Sequence, residues 1–347
     1  MPTNVTPEYK KAEEAFRAAR EPADRLACLR EMLRTIPKHK GTEHLQADIK
    51  RRIKQLSEEL AGPKKGGRRT GPTYSVHVEG AAQIVLIGPP NSGKSSLHGK
   101  LTASHSQVGA WPFTTQLPIP GMLPFEDALL QLVDLPPLAA EHAVPWYVTP
   151  LQSADAALLV VDLAEPAGAE QLEFVLGWLA DKKVTLSPNW PIPAATAGPD
   201  GRDSPAREAD DDPFRIELPT LLVANKRDLD PAPGEVEALE ELLGLRLPAL
   251  ATSVTTGEGL DDIGPFLFRH LGIRRVYTKT PGKPPETDKP FTVRTGGTVS
   301  DIARLVHKDL AESLRFARIW GRDVFDGQQV GPEHPLSDGD IVELHMR

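Results

Sequence analysis

Ile84-Val85-Leu86-Ile87-Gly88-Pro89-Pro90-Asn91-Ser92-Gly93-Lys94-Ser95 joins a short apolar run to a glycine-bounded loop that ends on Lys-Ser. The run reads as a buried strand, and residues from about 94 to 104 read as a helix. The loop between them has the spacing G-x-x-x-x-G-K-[ST] of a phosphate-binding loop. Each residue type has a physical job there. Backbone N–H groups around Asn91 to Ser95 converge on phosphate oxygens at a helix N-terminus. Gly93 lets the main chain approach the phosphate closely. Lys94 places a cation on the terminal phosphates, and Ser95 offers a hydroxyl to Mg²⁺. Gly88, Pro89, Pro90, Ser92 and Ser96 complete the cradle. The competing reading is an ordinary strand-turn-helix connection; the pattern is loose enough to occur by chance, and the apolar strand before it with the helix after it weighs against that reading.

Working outward, Leu129-Gln131-Val133, Leu158-Leu159-Val160-Val161 and Leu221-Leu222-Val223 read as further strands. Helical segments follow at about 169–182, 235–243 and 259–271. Apolar strands alternating with helices predict an α/β domain with a mostly parallel sheet covered on both faces. The strand ends carry chemistry. Asn225-Lys226-Arg227-Asp228 reads as N-K-x-D: a carboxylate at Asp228 accepts two hydrogen bonds from guanine N1 and its exocyclic amine, a donor pair that adenine lacks. Asn225 braces the loops and the Lys226 stem lies on the base. Ser253, Val254 and Thr255 stand where a backbone N–H reads the guanine oxygen, although a plain helix cap explains Ser253 or Thr255 equally well. Asp134 ends the strand around Val133, the place from which an Asp in GTPases binds Mg²⁺ through water. Three residues on, where a glycine N–H would bond the γ-phosphate, stands Pro137, which has no N–H. Leu138 next to it cannot orient water. Between the two sites lies Trp111-Pro112-Phe113-Thr114-Thr115, from which Thr115, with Thr114 second, can close over Mg²⁺.

The chain has 347 residues, 39% apolar and 25% charged, with one cysteine, Cys28. Length predicts two or three compact units. No apolar run is long enough to cross a membrane and the N-terminus has no secretory pattern, so the expected location is cytoplasmic. One thiol excludes an internal disulfide framework and a multi-cysteine zinc site. The net charge of −8 hides a basic leading segment: residues 1–80 carry 17 Lys/Arg against 11 Asp/Glu. That asymmetry suits nucleic acid or an acidic partner, and equally a solvated helical face.

Residues 7–36 read as one helix, and Leu45, Ile49, Ile53, Leu56 and Leu60 form one stripe of a second. Residues 1–63 are therefore expected as a helical hairpin joined by the turn Lys38-His39-Lys40, its stripe packed internally or against a partner. Residues 64–80 read as a basic linker, and 81–276 as the nucleotide-binding domain. Within it, 184–217 is rich in Pro and Asp and shows no strand or helix period. An exposed, disordered insertion is expected, or a binding loop anchored by Trp190. Residues 277–288 read as a second linker and 289–347 as a small β-rich domain.

In this order the motifs resemble the Obg superfamily of GTPases, most of all the developmentally regulated GTP-binding proteins and their bacterial relatives. Phe113-Thr114-Thr115 with Ile119-Pro120-Gly121 is similar to that family's switch segment, and Lys38 to Leu45 to its N-terminal hairpin. Arg275-Val276-Tyr277-Thr278-Lys279 resembles the bridge into a TGS domain. Ile319-Trp320-Gly321, Val330-Gly331, His334-Pro335-Leu336 and Asp338-Gly339-Asp340 resemble the TGS domain itself. The resemblance implies a P-loop GTPase domain, a β-grasp fold for 289–347, GTP/GDP and Mg²⁺ as ligands, and GTP hydrolysis linked to the ribosome or other RNA. A protein partner on the hairpin or TGS domain is a further implied contact, and no membrane is involved. It also implies that Asn91 helps hold K⁺ beside the phosphates, with Lys94, Asn91 and Thr115 as the groups acting in hydrolysis. Pro137 and the segment after it depart from the family, which keeps glycine at that position.

Overall fold

The computed structural model describes residues 6–19, 22–37, 42–61, 76–102, 117–139, 144–165, 168–192, 214–229, 234, 236, 238, 241, 244, 246–307, 311 and 313–346. The chain forms two compact units, Met1–Thr73 with Asp200–Arg215, and Tyr74–Pro199 with Ile216–Arg347. Most of the basic linker, the segment from Trp111 to Thr115, Lys38 to Lys40 and most of the expected helix 235–243 lie outside the described residues.

Among the described residues the first unit contains three helices where two are expected: α1 (Pro7–Ala18), α2 (Pro22–Thr35) and α3 (Glu43–Ala61). Proline explains the break. Pro22 opens α2, where its missing N–H costs nothing, and it disfavours helical backbone at the residue before it. Thr6 caps α1 by accepting from Tyr9 N at 3.2 Å. Tyr9, Ala12 and Phe16 of α1, Leu29 and Met32 of α2 and Ile49 of α3 are buried together. Leu45, Ile53 and Leu56 pack against them, so the α3 stripe is used inside this unit. Phe214, from the end of the expected insertion, completes this core. Its ring meets Phe16 edge-on at 6.0 Å, and the Arg52 guanidinium lies 4.0 Å over it.

In the second unit, β1 (Gln83–Ile87), β3 (Ala128–Asp134), β4 (Ala156–Asp162), β5 (Val184–Ser187), β6 (Ile216–Asn225) and β7 (Ala249–Ala251) form a parallel sheet. The edge strand β2 (Ile119–Phe125) runs antiparallel to β3. The order is β2-β3-β1-β4-β6-β5, with β7 also on β6. β2 escapes an alternation reading because it contains Pro120, Gly121 and Pro124, residues tolerated at a sheet edge where N–H groups need no partner. α4 (Lys94–Thr102), α5 (Val148–Ser153), α6 (Gly168–Asp181) and α7 (Ile263–His270) flank the sheet. β1 lies between β3 and β4, so successive crossovers leave it in opposite directions. That is the switch point where open α/β sheets hold ligands.

The region 184–217 is corrected in part. Val184–Ser187 is a strand, and Ile216 already belongs to β6. Trp190 is a core residue, 5% exposed, with its ring 5.1 Å from Phe266, where a side chain exposed on a binding loop is the alternative expectation. Four residues give too short a window for periodicity to register β5.

The TGS-like region is a second sheet, ordered β11-β10-β12-β8-β9, from β8 (Ile273–Lys279), β9 (Pro285–Arg294), β10 (Leu314–Trp320), β11 (Gln328–Val330) and β12 (Asp340–Met346). α8 (Val299–Val306) carries Val299, Ile302 and Ala303 into its core, and a Thr298/Asp301 capping box starts it. The expected linker 277–288 is not one: β8 and β9 pair as an antiparallel hairpin, and β8 pairs in parallel with β12. Its prolines fall in the turn and at strand ends, and composition alone does not distinguish that hairpin from a tether.

Candidate functional site

The phosphate loop is shaped by three backbone conformations: Gly88 at φ 154°, Asn91 at φ 60° and Gly93 at φ 92°. A methyl group on Gly88 would overlap the Val160 carbonyl, and one on Gly93 would overlap Asn225 Nδ2. Both glycines are therefore required by contact as well as by torsion. Pro89 and Pro90 have no N–H, so the donors of the cradle are those of residues 91–95 and Ser96, at the start of α4. Pro89 contributes its carbonyl, which accepts from Ser92 Oγ at 3.0 Å.

Lys94 is 5% exposed. Its Nζ lies 3.0 Å from Gly88 O and 2.7 Å from Pro89 O. Burial lowers its pKa to about 8, against a weaker pull from the Asp134 charge. An ammonium in this state gains from a polyanion arriving beside it. Ser95 Oγ donates to Asp134 Oδ2 at 2.6 Å. The other oxygen, Asp134 Oδ1, is buried with no hydrogen-bond partner among the described residues. Burial pushes the Asp134 carboxyl up, while Ser95, Lys94 and His98 pull it down. A buried orphan acceptor beside a hydroxyl fits a hydrated divalent cation, which would satisfy it and favour its ionised form. Ser95 and Asp134 thus meet the requirement for Mg²⁺. Thr115 and Thr114 lie outside the described residues. Asn91 is exposed at the tip of the loop.

The base end is built on β6 and the loop after β7. Asn225 is buried and bridges three segments: its Nδ2 donates to Ser92 O at 3.0 Å, and its Oδ1 accepts from Val254 N at 3.4 Å. One carboxamide ties the phosphate loop to residues 253–255. Ser253 Oγ donates to Asp228 Oδ1 at 2.6 Å and accepts from Thr256 N at 3.1 Å. Ser253 is therefore both a turn cap and a brace that aims the exposed Asp228 carboxylate. Val254 is half-buried and Thr255 exposed beside it. Lys226 has a left-handed backbone, φ 65°, and its Nζ pairs with Asp162 Oδ2 at 2.5 Å.

Asp162 is absent from the sequence reading, although an acid directly after the apolar run of β4 is a signal of the same kind as Asp134. It also accepts from Ala164 N at 2.9 Å, which orients it. His98 is a second omission, and no motif marks it. It is buried on α4 with Nε2 3.3 Å from Leu132 O. A methyl on Gly121 would come within 2.7 Å of that nitrogen, so the glycine of β2 makes room for it.

Residues 83–189 match the family described as 50S ribosome-binding GTPase, and residues 274–346 match the TGS domain family. An uncharacterized GTP-binding protein of Methanocaldococcus jannaschii is 28% identical, covering 92% of this chain and 91% of its own length. Developmentally-regulated G-protein 1 of Arabidopsis thaliana is 26% identical, covering 90% of this chain and 88% of its own. Among solved structures, a GTP-binding protein from Pyrococcus horikoshii OT3 aligns with a TM-score of 0.47 at 18% identity, over 76% of this chain and 100% of that one. Among the described residues no helix is long and apolar enough to cross a membrane. With the loop, the N-K-x-D segment and the second sheet in place, the chain carries a GTPase-family segment at residues 83–189 and a TGS domain at residues 274–346, and over at least 90% of its length it is similar to GTP-binding proteins that include a developmentally regulated G-protein.

Proposed function

We propose that this protein binds GTP and GDP with Mg²⁺ and hydrolyses GTP slowly, in association with the ribosome or other RNA. The observation that carries the guanine reading is the Asn225 bridge, with Asp228 braced by Ser253 at its far end. It joins a phosphate cradle and a base-reading carboxylate into one pocket. In this reading Ser95, Thr115 and Asp134 would hold Mg²⁺, which would supply charge neutralisation at the phosphates. Lys94 and the N–H groups of 91–95 hold the leaving phosphates, and K⁺ at Asn91 adds a second positive charge there. Leu138, directly after Pro137, is apolar and buried and cannot act as a general base. The attacking water is then placed by the backbone or by a partner. The basic leading segment, the helical unit and the TGS domain are the surfaces offered to RNA or to a protein partner.

The test is calorimetric titration with GTP, GDP and ATP in K⁺ and in Na⁺, with phosphate release followed in parallel. Guanine nucleotides are expected to bind at least about a hundredfold more tightly than ATP, because adenine leaves the Asp228 carboxylate unmatched. Asp228→Asn should remove most of that preference while circular dichroism stays unchanged. Equal affinity for guanine and adenine nucleotides would reject the proposal. A second reading, a nucleotide-responsive binding module with little turnover, is favoured by Pro137. GTP turnover no faster than the spontaneous rate, in K⁺ and with ribosomes present, selects it.

A further inference from the structure

The segment directly after Asp134 meets the phosphate loop, and the donors of residues 136–138 can be accounted for one by one. Pro136 and Pro137 have no N–H. The next N–H, that of Leu138, donates to Gly88 O at 3.2 Å, the carbonyl that also accepts from Lys94 Nζ. Leu135 and Leu138 are both buried, in the same core cluster as Val133, Tyr147 and Leu151. Swinging the segment toward a ligand would break the Leu138–Gly88 bond and expose two leucines to water. Two positions therefore have no donor, the third has a committed one, and the backbone is anchored by apolar side chains on either side of the prolines.

From this we infer that residues 135–138 form a fixed wall of the pocket, so that from this side the protein registers that a guanine nucleotide is bound and not whether it carries two phosphates or three. Pro137 and Leu138 are then the residues that set the ratio of GTP to GDP affinity. The inference rests on the guanine-nucleotide reading above and adds to it. A protein built this way reports nucleotide occupancy, and hydrolysis does not release a contact made by the wall.

The experiment compares GDP with a non-hydrolysable GTP analogue, both with Mg²⁺, on the full chain. The wild type is expected to bind the two within about threefold of one another. Pro137→Ala and Pro137→Gly each restore an N–H and are expected to shift the ratio toward the analogue by about tenfold or more, the effect of one added bond to a charged oxygen. Hydrogen exchange gives a readout that needs no variant. In a peptide beginning at Leu135 the two prolines carry no amide, so within 135–138 it reports Leu138 alone, and that protection should be the same with either nucleotide. A wild type that favours the analogue tenfold, or a peptide protected by the analogue alone, overturns the wall while leaving guanine binding intact. So do folded Pro137 variants that bind both nucleotides with the wild-type ratio. Failure to bind either nucleotide overturns both readings at once.

Discussion

Lys94 is the buried cation of the phosphate loop. Its ammonium is buried and donates to neutral oxygens, the Gly88 and Pro89 carbonyls and the Ser92 hydroxyl, and burial lowers its pKa to about 8 from an ordinary 10.5. The sign of the consequence follows from which state keeps the proton. Between those two values the unfolded chain retains it and the folded chain does not, so this group makes stability rise with pH across that window. The full effect is about 3 kcal/mol. A bound polyphosphate favours the charged form and removes the rise. Chemical denaturation at about pH 8 and pH 10 should show the increase in the nucleotide-free protein. It should be absent in Lys94→Met and flattened by saturating GDP. The same rise in the Lys94→Met variant would show that other groups cause it. Gly93 illustrates the other residue-scale constraint. Its positive φ is readable as a glycine requirement, whereas the overlap with Asn225 Nδ2 arises from a residue more than a hundred positions away.

At the scale of elements, the hairpin β2–β3 runs from the pocket to the TGS domain. One end pairs Ile119 with Asp134, and the other turns at Glu126-Asp127. Arg275 of β8 grips that turn through Asp127, at 3.1 Å, and Glu126. It also makes a forked bond to Asp338, with Nη2 at 2.7 Å and Nε at 3.1 Å. Tyr277 OH adds a bond to Asp127 at 2.5 Å. Not all of these contacts carry equal weight. Glu126 is more than half exposed, and screened surface pairs contribute less than about 1 kcal/mol. The forked Asp338 bond is partly enclosed and should dominate. Arg275→Ala is therefore expected to destabilise by about 2 kcal/mol, and Glu126→Ala by less than about 0.5. Combining Arg275→Ala with Asp338→Asn should cost much less than the sum of the two. Strict additivity in that cycle, measured by urea denaturation, would show that the two do not act as a pair. The hairpin β8–β9 that carries this grip is also the element its composition hides. Prolines and charged residues at 280–289 look like a tether, and only pairing with β12 distinguishes a strand from one.

At the scale of the molecule, the helical unit depends on a residue far from it in sequence. Phe214 is 4% exposed between Phe16 and Arg52. Phe214→Ala should destabilise the unit by about 3 kcal/mol or more, through lost burial and the cavity left behind. Loss of exchange protection in α1 and α3, with β1 and β4 unchanged, is the expected result, and unaltered protection in α1 and α3 would contradict it. Much of the architecture is nevertheless legible in linear order. The phosphate loop, Asn225 to Asp228 and the strand–helix alternation are local patterns, because a loop's torsions and donors and a strand's apolar run lie within a dozen neighbouring residues. That locality is why the ligand class and the parallel sheet can be read from the chain alone. Sheet order, the Asn225 bridge, the Asp162–Lys226 pair, the donor committed by Leu138 and the docking of Phe214 have no local signature. They depend on which strands become neighbours and in what register, and long-range packing alone sets those.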